Sequence, residues 1–247
     1  MKAMILAAGL GTRLRPLTND RPKALVEVAG RTMLERTLTR LRDFGIRDVI
    51  VNVHHFAGKV AEYLALNGNF GMRIEVSREE DLLDTGGGLK KAAWFFLDDP
   101  AIREEPFLLH NVDVLSTVDL GRMFEFHAKQ GALATLAVQN RETSRYLLFD
   151  EHAQLCGRRA GRDGNEEIVR PSKESLALAF SGIHVISPRL LRMMNRNGAF
   201  SIIDTYLQLS SQAESVVAFR ADEYQWRDLG TPESVALAAR EIEQSTR

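Results

Sequence analysis

The sequence has a single cysteine, Cys156, among 247 residues. One thiol excludes an internal disulfide framework and a cysteine-based zinc site, and it suits a reducing cytoplasm. An excess of charge is missing too. Lys plus Arg is 32 and Asp plus Glu is 33, so the balance speaks for no nucleic-acid or membrane partner. No apolar run approaches the roughly 18 residues of a membrane span. The apolar segment after Lys2 is too short for a signal peptide, and Arg13 and Arg15 follow it directly. Internal repeats and low-complexity stretches are also lacking. The chain is 45% hydrophobic and 26% charged, which is ordinary for a globular protein with a large core.

What is present is an alternation of strand and helix. Residues 2–8 form a continuous apolar run, as in a strand buried on both faces. Met33, Leu34, Thr37, Leu38 and Leu41 recur at helical spacing, and Gly45 is a stop signal. Strands are expected at 48–53, 73–77, 106–114 and 132–138, and helices at 59–66, 89–96 and 120–129, with Asp119 as a cap. This order implies an α/β fold with a parallel sheet and helices on both faces. Ligands bind at the carboxyl ends of such strands. Residues 9–23, 84–88 and 111–113, all polar or glycine-rich, fall at those ends.

The second half is less regular. A hairpin is expected over 146–149 and 154–156, and a strand over 177–186 with Gly182 inside it. Residues 157–175 read as an exposed, mobile loop, or as a lid or oligomer arm. Helices follow at 189–194 and 202–211. Residues 215–220 and 224–229 look like paired strands. Thr231 caps the last helix, with Pro232 in its first turn.

The first strand runs into Ala7-Ala8-Gly9-Leu10-Gly11-Thr12-Arg13, and Arg15, Arg21 and Lys23 come soon after. This is no Walker loop, because no Gly-Lys-Ser/Thr follows, and Leu14 stands where a dinucleotide fingerprint needs glycine. Glycines let backbone N–H groups approach phosphate oxygens. Arg13 offers a planar fork and Lys23 a point charge, with Pro22 restricting the backbone before it. Alone, the loop reads equally as a structural turn, and Arg15 and Arg21 as solvated charge. Asp113 and Asp228, taken singly, read as turn or cap residues.

The stretch LAAGLGTRLRPLT followed by RPKALV resembles the signature of the sugar-1-phosphate nucleotidylyltransferases. The likeness continues through DTGGGL, NVD, FSGI and WRDLGTPE, so it spans nearly the whole chain. The resemblance implies a single domain over 1–247, with 1–140 as the nucleotide-binding half and 141–247 as the sugar-phosphate half. It implies a Rossmann-like three-layer αβα sandwich with a mostly parallel mixed sheet. The substrates would be an NTP and a sugar-1-phosphate, and the cofactor Mg²⁺ on Asp113 and Asp228. Arg13 would neutralise the triphosphate and Lys23 would contact the reacting phosphate. Ala7, Ala8, Gly9, Gly11, Thr12, Glu79, Asp84 and Gly86 would bind the nucleotide, Glu79 through a pyrimidine N–H. Gly182 and Asp204 would lie on the sugar side. Val112 stands where the family has glycine.

The DTGGG variant and FSGI look most like members that transfer uridylyl to N-acetylmuramate-1-phosphate; mannose- and heptose-1-phosphate guanylyltransferases are the alternative. Monomer and homodimer both stay open. A non-catalytic nucleotide-sugar sensor would lack Lys23 or one of the two aspartates, and all are present. A Rossmann oxidoreductase would need the complete glycine fingerprint.

Overall fold

Strand β1 (Lys2–Leu6) is buried along its whole length. Ala3 and Ile5 enter one apolar cluster, and Met4 and Leu6 enter another. Successive residues of a strand face opposite sides of a sheet, so this strand has a core on each face. The computed structural model describes residues 1–97, 104–161 and 164–245. The further strands are β2 (Glu27–Val28), β3 (Arg31–Thr32), β4 (Asp48–Val53), β5 (Arg73–Arg78), β6 (Phe107–Asn111), β7 (Val114–Ser116) and β8 (Ala134–Gln139). They continue with β9 (Arg145–Phe149), β10 (Leu155–Ala160), β11 (Glu166–Ile168), β12 (Leu176–Ile186), β13 (Val216–Arg220) and β14 (Trp226–Asp228). The helices are α1 (Met33–Asp43), α2 (Ala57–Leu66), α3 (Asp84–Lys91), α4 (Ala93–Leu97), α5 (Leu120–Gln130), α6 (Arg189–Met193), α7 (Ile202–Ser211) and α8 (Pro232–Ser245).

Ten strands form one mixed sheet in the order β11-β10-β9-β12-β6-β1-β4-β5, with β8 on β12 and β13 on β8. Strands β6, β1, β4 and β5 are parallel, as are β8 and β13. The long β12 enters antiparallel to β6, β8 and β9. Apolar side chains of α1, α2, α5 and α8 cover one face, and those of α3, α4, α6 and α7 the other. The result is the Rossmann-like three-layer αβα sandwich.

Local signals place several boundaries. Thr32 caps α1 by accepting from the Glu35 N–H at 3.0 Å, and the five apolar-face residues from Met33 to Leu41 are all buried. Asp119 caps α5 through the Arg122 N–H, and Thr231 accepts from Ser234 N at the start of α8.

Four expectations change. Strand β6 stops at Asn111, and the chain turns before resuming as β7, which puts Asp113 in the turn. Residues 216–220 and 226–228 do not pair with each other. β13 lies parallel to β8, whereas β14 pairs antiparallel with β7 in a separate two-stranded sheet. The Gln225 carbonyl accepts from Thr117 N and Ser116 Oγ, and these bonds draw the chain off the main sheet. The 157–175 segment is not all loop: β10 runs to Ala160 and pairs with the fully exposed β11, while residues 162–163 lie outside the described part. Finally, the glycine triplet lies inside α3 rather than before it. Gly86 and Gly87 are needed for close approach: a Cβ on Gly86 would sit 2.4 Å from the Phe200 ring, and one on Gly87 would sit 2.3 Å from the Gly198 carbonyl oxygen.

Three histidines are buried neutral. Burial pushes His110 and His184 down to about 3 and His127 down to about 4. Unfolding restores an ordinary value near 6.5. The unfolded chain therefore takes up protons below about pH 6.5 that the folded chain refuses, and stability is lost as pH falls towards the folded values. Between pH 7 and pH 5 each histidine should withdraw about 2 kcal/mol. Urea midpoints at the two pH values check this; the pH 5 midpoint should be clearly lower, and equal midpoints would contradict it.

Candidate active site

The site begins where β1 ends. The Ala7 N–H donates to Asn52 Oδ1 at 2.7 Å, and Asn52 Nδ2 donates to Glu79 Oε1 at 2.7 Å. Glu79 Oε2 accepts from the Leu83 N–H at 3.0 Å. This buried chain of bonds ties the ends of β1, β4 and β5 to the start of α3. Glu79 is 5% exposed, so the carboxylate that the resemblance assigns to the nucleobase is already engaged in fastening these ends. Asn52 was not singled out in the sequence; its only signal is a polar residue inside DVIVNV.

Beyond that anchor the loop opens. The backbone N–H groups of Ala8, Gly9, Leu10 and Gly11 have no protein acceptor among the described residues. Such a row of free donors is able to accept an anion. Gly11 adopts φ +66°, and its carbonyl accepts from Thr18 Oγ1 at 2.8 Å. Thr12–Leu14 and Lys23–Leu25 form single 3₁₀ turns. Pro22 is extended before the second turn, and a Cβ on Gly9 would lie 3.6 Å from Lys23 Nζ, so the ammonium sits beside the glycine loop.

Lys23 Nζ also pairs with Asp113 Oδ2 at 2.8 Å, the two side chains being 16% and 14% exposed. Asp113 and Asp228 come together because β14 pairs with β7. Asp228 stands opposite Val114 in that ladder, and the Asp113 carbonyl accepts from Leu229 N at 2.8 Å. Asp228 Oδ1 accepts from Gly230 N at 2.8 Å. A Cβ on Gly230 would lie 2.7 Å from Asp228 Oδ1 and 2.8 Å from Arg13 Nη2, so Arg13 reaches the Asp228 turn. Val112 donates its N–H to the Leu6 carbonyl and buries its side chain in the core. Its φ is not in the left-handed region, so valine is accommodated where the family has glycine.

Gly230→Ala should leave the backbone unstrained but push Arg13 and Asp228 aside. A displacement near 1 Å can reduce turnover about 100-fold. Steady-state kinetics and a melting curve check this: a normal melt with a large loss of kcat is expected, and normal kcat would contradict the placement of the two residues.

Arg13, Asp113, Asp228, Gly182 and Asp204 all line one cleft of about 840 Å³. Lys23 joins it through Asp113. Gly182 interrupts β12 at φ +72°, where the register with β8 shifts, and a Cβ there would lie 2.8 Å from Asn111 Nδ2. Asp204 is bound by Arg158 at 2.8 Å and Arg196 at 3.2 Å. Asp84 and Gly86 do not line this cleft. Asp84 is exposed with its Oδ1 on Thr85 N, and the Gly86 N–H is taken by the Phe200 carbonyl. The sequence reading missed Arg141, Arg158, Arg159 and Trp226, which share the cleft. Trp226 Nε1 donates to the Ser181 carbonyl at 2.8 Å, which links WRDLG to FSGI. Burial pushes the Cys156 thiol up, and no nucleophilic role attaches to it.

The nucleotidyl transferase family model matches residues 2–245. The chain belongs to the nucleotidyl transferase family. It is an enzyme of the sugar-1-phosphate nucleotidylyltransferase class. One relative, N-acetylmuramate alpha-1-phosphate uridylyltransferase of Caulobacter vibrioides, is 32% identical over 243 residues, covering 96% of this chain and 94% of the relative. Mannose-1-phosphate guanyltransferase of Yarrowia lipolytica is 30% identical over 235 residues, covering 94% of this chain and 61% of that protein. A putative glucose-1-phosphate thymidylyltransferase from Bacillus anthracis, solved with a sucrose, shares the fold at a TM-score of 0.78. It is 19% identical, with 98% of this chain and 94% of that chain covered. No helix among the described residues is long and apolar enough to cross a membrane.

Proposed function

We propose that the protein transfers uridylyl from UTP to N-acetylmuramate-1-phosphate, releasing pyrophosphate. The observation that supports this most is that Arg13, Asp113 and Asp228 line one cleft, with Lys23 paired to Asp113 and set beside the glycine loop. The choice of substrates is supported by the length-matched likeness to the Caulobacter relative, 94% of which is covered. The Yarrowia relative uses a different base and sugar, and guanylyl transfer to mannose-1-phosphate is the second reading.

In this reading 1–140 holds the nucleotide and 141–247 the sugar phosphate. Ala8, Gly9, Gly11 and Thr12 present their backbone to the triphosphate, with Ala7 anchored beneath. Glu79, between β5 and α3, and Asp84 and Gly86, in the first turn of α3, shape the base side. Gly182 leaves room for the sugar ring, with Asp204 at its far edge. Asp113 and Asp228 fit a hard divalent cation. Each keeps one carboxylate oxygen without a protein donor among the described residues, and Mg²⁺ takes one or two carboxylates plus phosphate oxygens. When bound, Mg²⁺ supplies charge neutralisation between the two polyanions.

No protein nucleophile is needed. A phosphate oxygen of the sugar-1-phosphate forms a bond to the α-phosphorus of UTP in line. The bond from α-phosphorus to the bridging oxygen breaks, and pyrophosphate departs with the electron pair. Lys23 stabilises the reacting phosphate and Arg13 the departing pyrophosphate, by position and charge. Pyrophosphate release over a grid of four NTPs and several sugar-1-phosphates tests the reading. Strongest turnover with UTP and N-acetylmuramate-1-phosphate is expected. Turnover with GTP alone would overturn the uridylyl assignment, and no turnover with any pair would overturn the site.

A further inference from the structure

The cleft holds a cation that the reaction as described leaves without a task. Arg141 follows β8 and lies flat on Trp226, its guanidinium carbon 3.5 Å from the ring centroid. Its Nη2 donates to the Phe180 carbonyl at 2.7 Å. These two contacts fix the plane of the fork. Nε is buried with no acceptor, and so is the nearby Ser181 Oγ. Unpartnered buried donors are rare and call for an explanation.

Arg159 Nε is also buried without an acceptor, but the neighbouring arginines differ in their counter-ions. Arg158 is neutralised by Glu167 and Asp204, and Arg159 pairs with Glu166. Arg145 is exposed at the rim. Arg141 is partly buried and has no carboxylate within salt-bridge distance among the described residues. Holding a partly dehydrated cation with no carboxylate in direct contact is unfavourable unless a ligand brings the anion.

The topology says which anion. Trp226 and Asp228 are two apart on β14, so they share a face. Arg141, stacked on Trp226, therefore lies near Asp228; burial pushes the guanidinium below its ordinary value, and the Asp228 charge partly opposes that. Arg13 also approaches the Asp228 turn, at Gly230. Two guanidinium groups thus come near one carboxylate. Arg13 comes from the glycine loop. Arg141 comes from the half that carries Phe180 and Gly182.

We propose that Arg141 grips the phosphate of the acceptor, holding the attacking oxygen in line and cancelling its repulsion from the nucleotide. The proposal rests on the assignment of the cleft to nucleotidyl transfer, and it requires a phosphomonoester dianion as acceptor whatever the sugar. Arg141 is then a substrate-contacting residue with a counterpart in neither the glycine loop nor the acidic pair.

The test is a split in KM. In wild-type enzyme, turnover with UTP and N-acetylmuramate-1-phosphate first establishes the reaction; its absence with every substrate pair would overturn the cleft assignment, not this residue. Arg141→Ala should raise the KM for the sugar phosphate roughly 10- to 100-fold, the range for a charge-assisted hydrogen-bonded contact. The KM for UTP should move less than about threefold. Arg141→Lys keeps the charge but loses the fork and the stack, and should fall between the two. Added guanidinium should restore part of the lost activity in Arg141→Ala. If the alanine variant fails to fold, the lysine variant and its KM split decide alone. An unchanged acceptor KM, or equal rises in both KM values, would overturn the proposal.

Discussion

Lys23→Ala should lower kcat at least about 100-fold, the loss of roughly 3 kcal/mol of transition-state stabilisation from one preorganised charge. Lys23 sits beside the unpaired backbone donors of the glycine loop and 2.8 Å from Asp113. In the proposed reaction, an ammonium placed between the glycine loop and the Asp113 carboxylate would follow charge as it builds at the α-phosphorus. Removing it also strands Asp113, which is 14% exposed, so a modest loss of stability accompanies the kinetic loss. Circular dichroism separates the two effects: the variant should be folded at assay temperature yet nearly inactive. Activity within a few-fold of wild type would contradict the role.

Asp113→Asn should have an effect of similar size with a different signature. The substitution keeps shape but removes a charge, so it weakens the hold on a hard cation and breaks the Lys23 pair. Its activity should recover partly as Mg²⁺ is raised into the tens of millimolar, and the same should hold for Asp228→Asn, because hard cations bind in proportion to ligand charge. Titrating Mg²⁺ against rate at saturating substrates checks this. An unshifted Mg²⁺ dependence in both variants would remove the aspartates from the cation site. Asp204→Asn serves as the control, since Asp204 is held by Arg158 and Arg196 at the far side of the cleft.

The sequence made the chemistry legible where residues act through local order. The apolar run into Gly9 and Gly11 marks a strand end, and Pro22 before Lys23 marks a fixed turn. Helix caps at Asp119 and Thr231 are read from the local sequence, and the structure bears both out. What stayed hidden depends on partners far along the chain. Nothing near Asn52 says that it bonds to Ala7 and Glu79, 45 and 27 residues distant. Nothing near 226–228 says that these residues pair with 114–116 rather than with the strand just before them. That pairing is what brings Asp228 to Asp113. Arg141 was invisible for the same reason, because its setting is made by Phe180 and Trp226. The glycine triplet was visible as glycine, but its requirement lies in distant partners: the 198–200 segment packs on Gly86 and Gly87, and Asn52 and Glu79 pack on Gly88.

In the proposed reaction two anions, held by the two halves of one cleft, react directly without a nucleotidyl-enzyme intermediate. Isotope exchange between labelled pyrophosphate and UTP, in the presence of Mg²⁺ and with no sugar phosphate, measures this. No exchange above background is expected until N-acetylmuramate-1-phosphate or its nucleotide-sugar product is added. Rapid exchange by the enzyme with UTP alone would mean that the protein itself accepts the uridylyl group, and would contradict it.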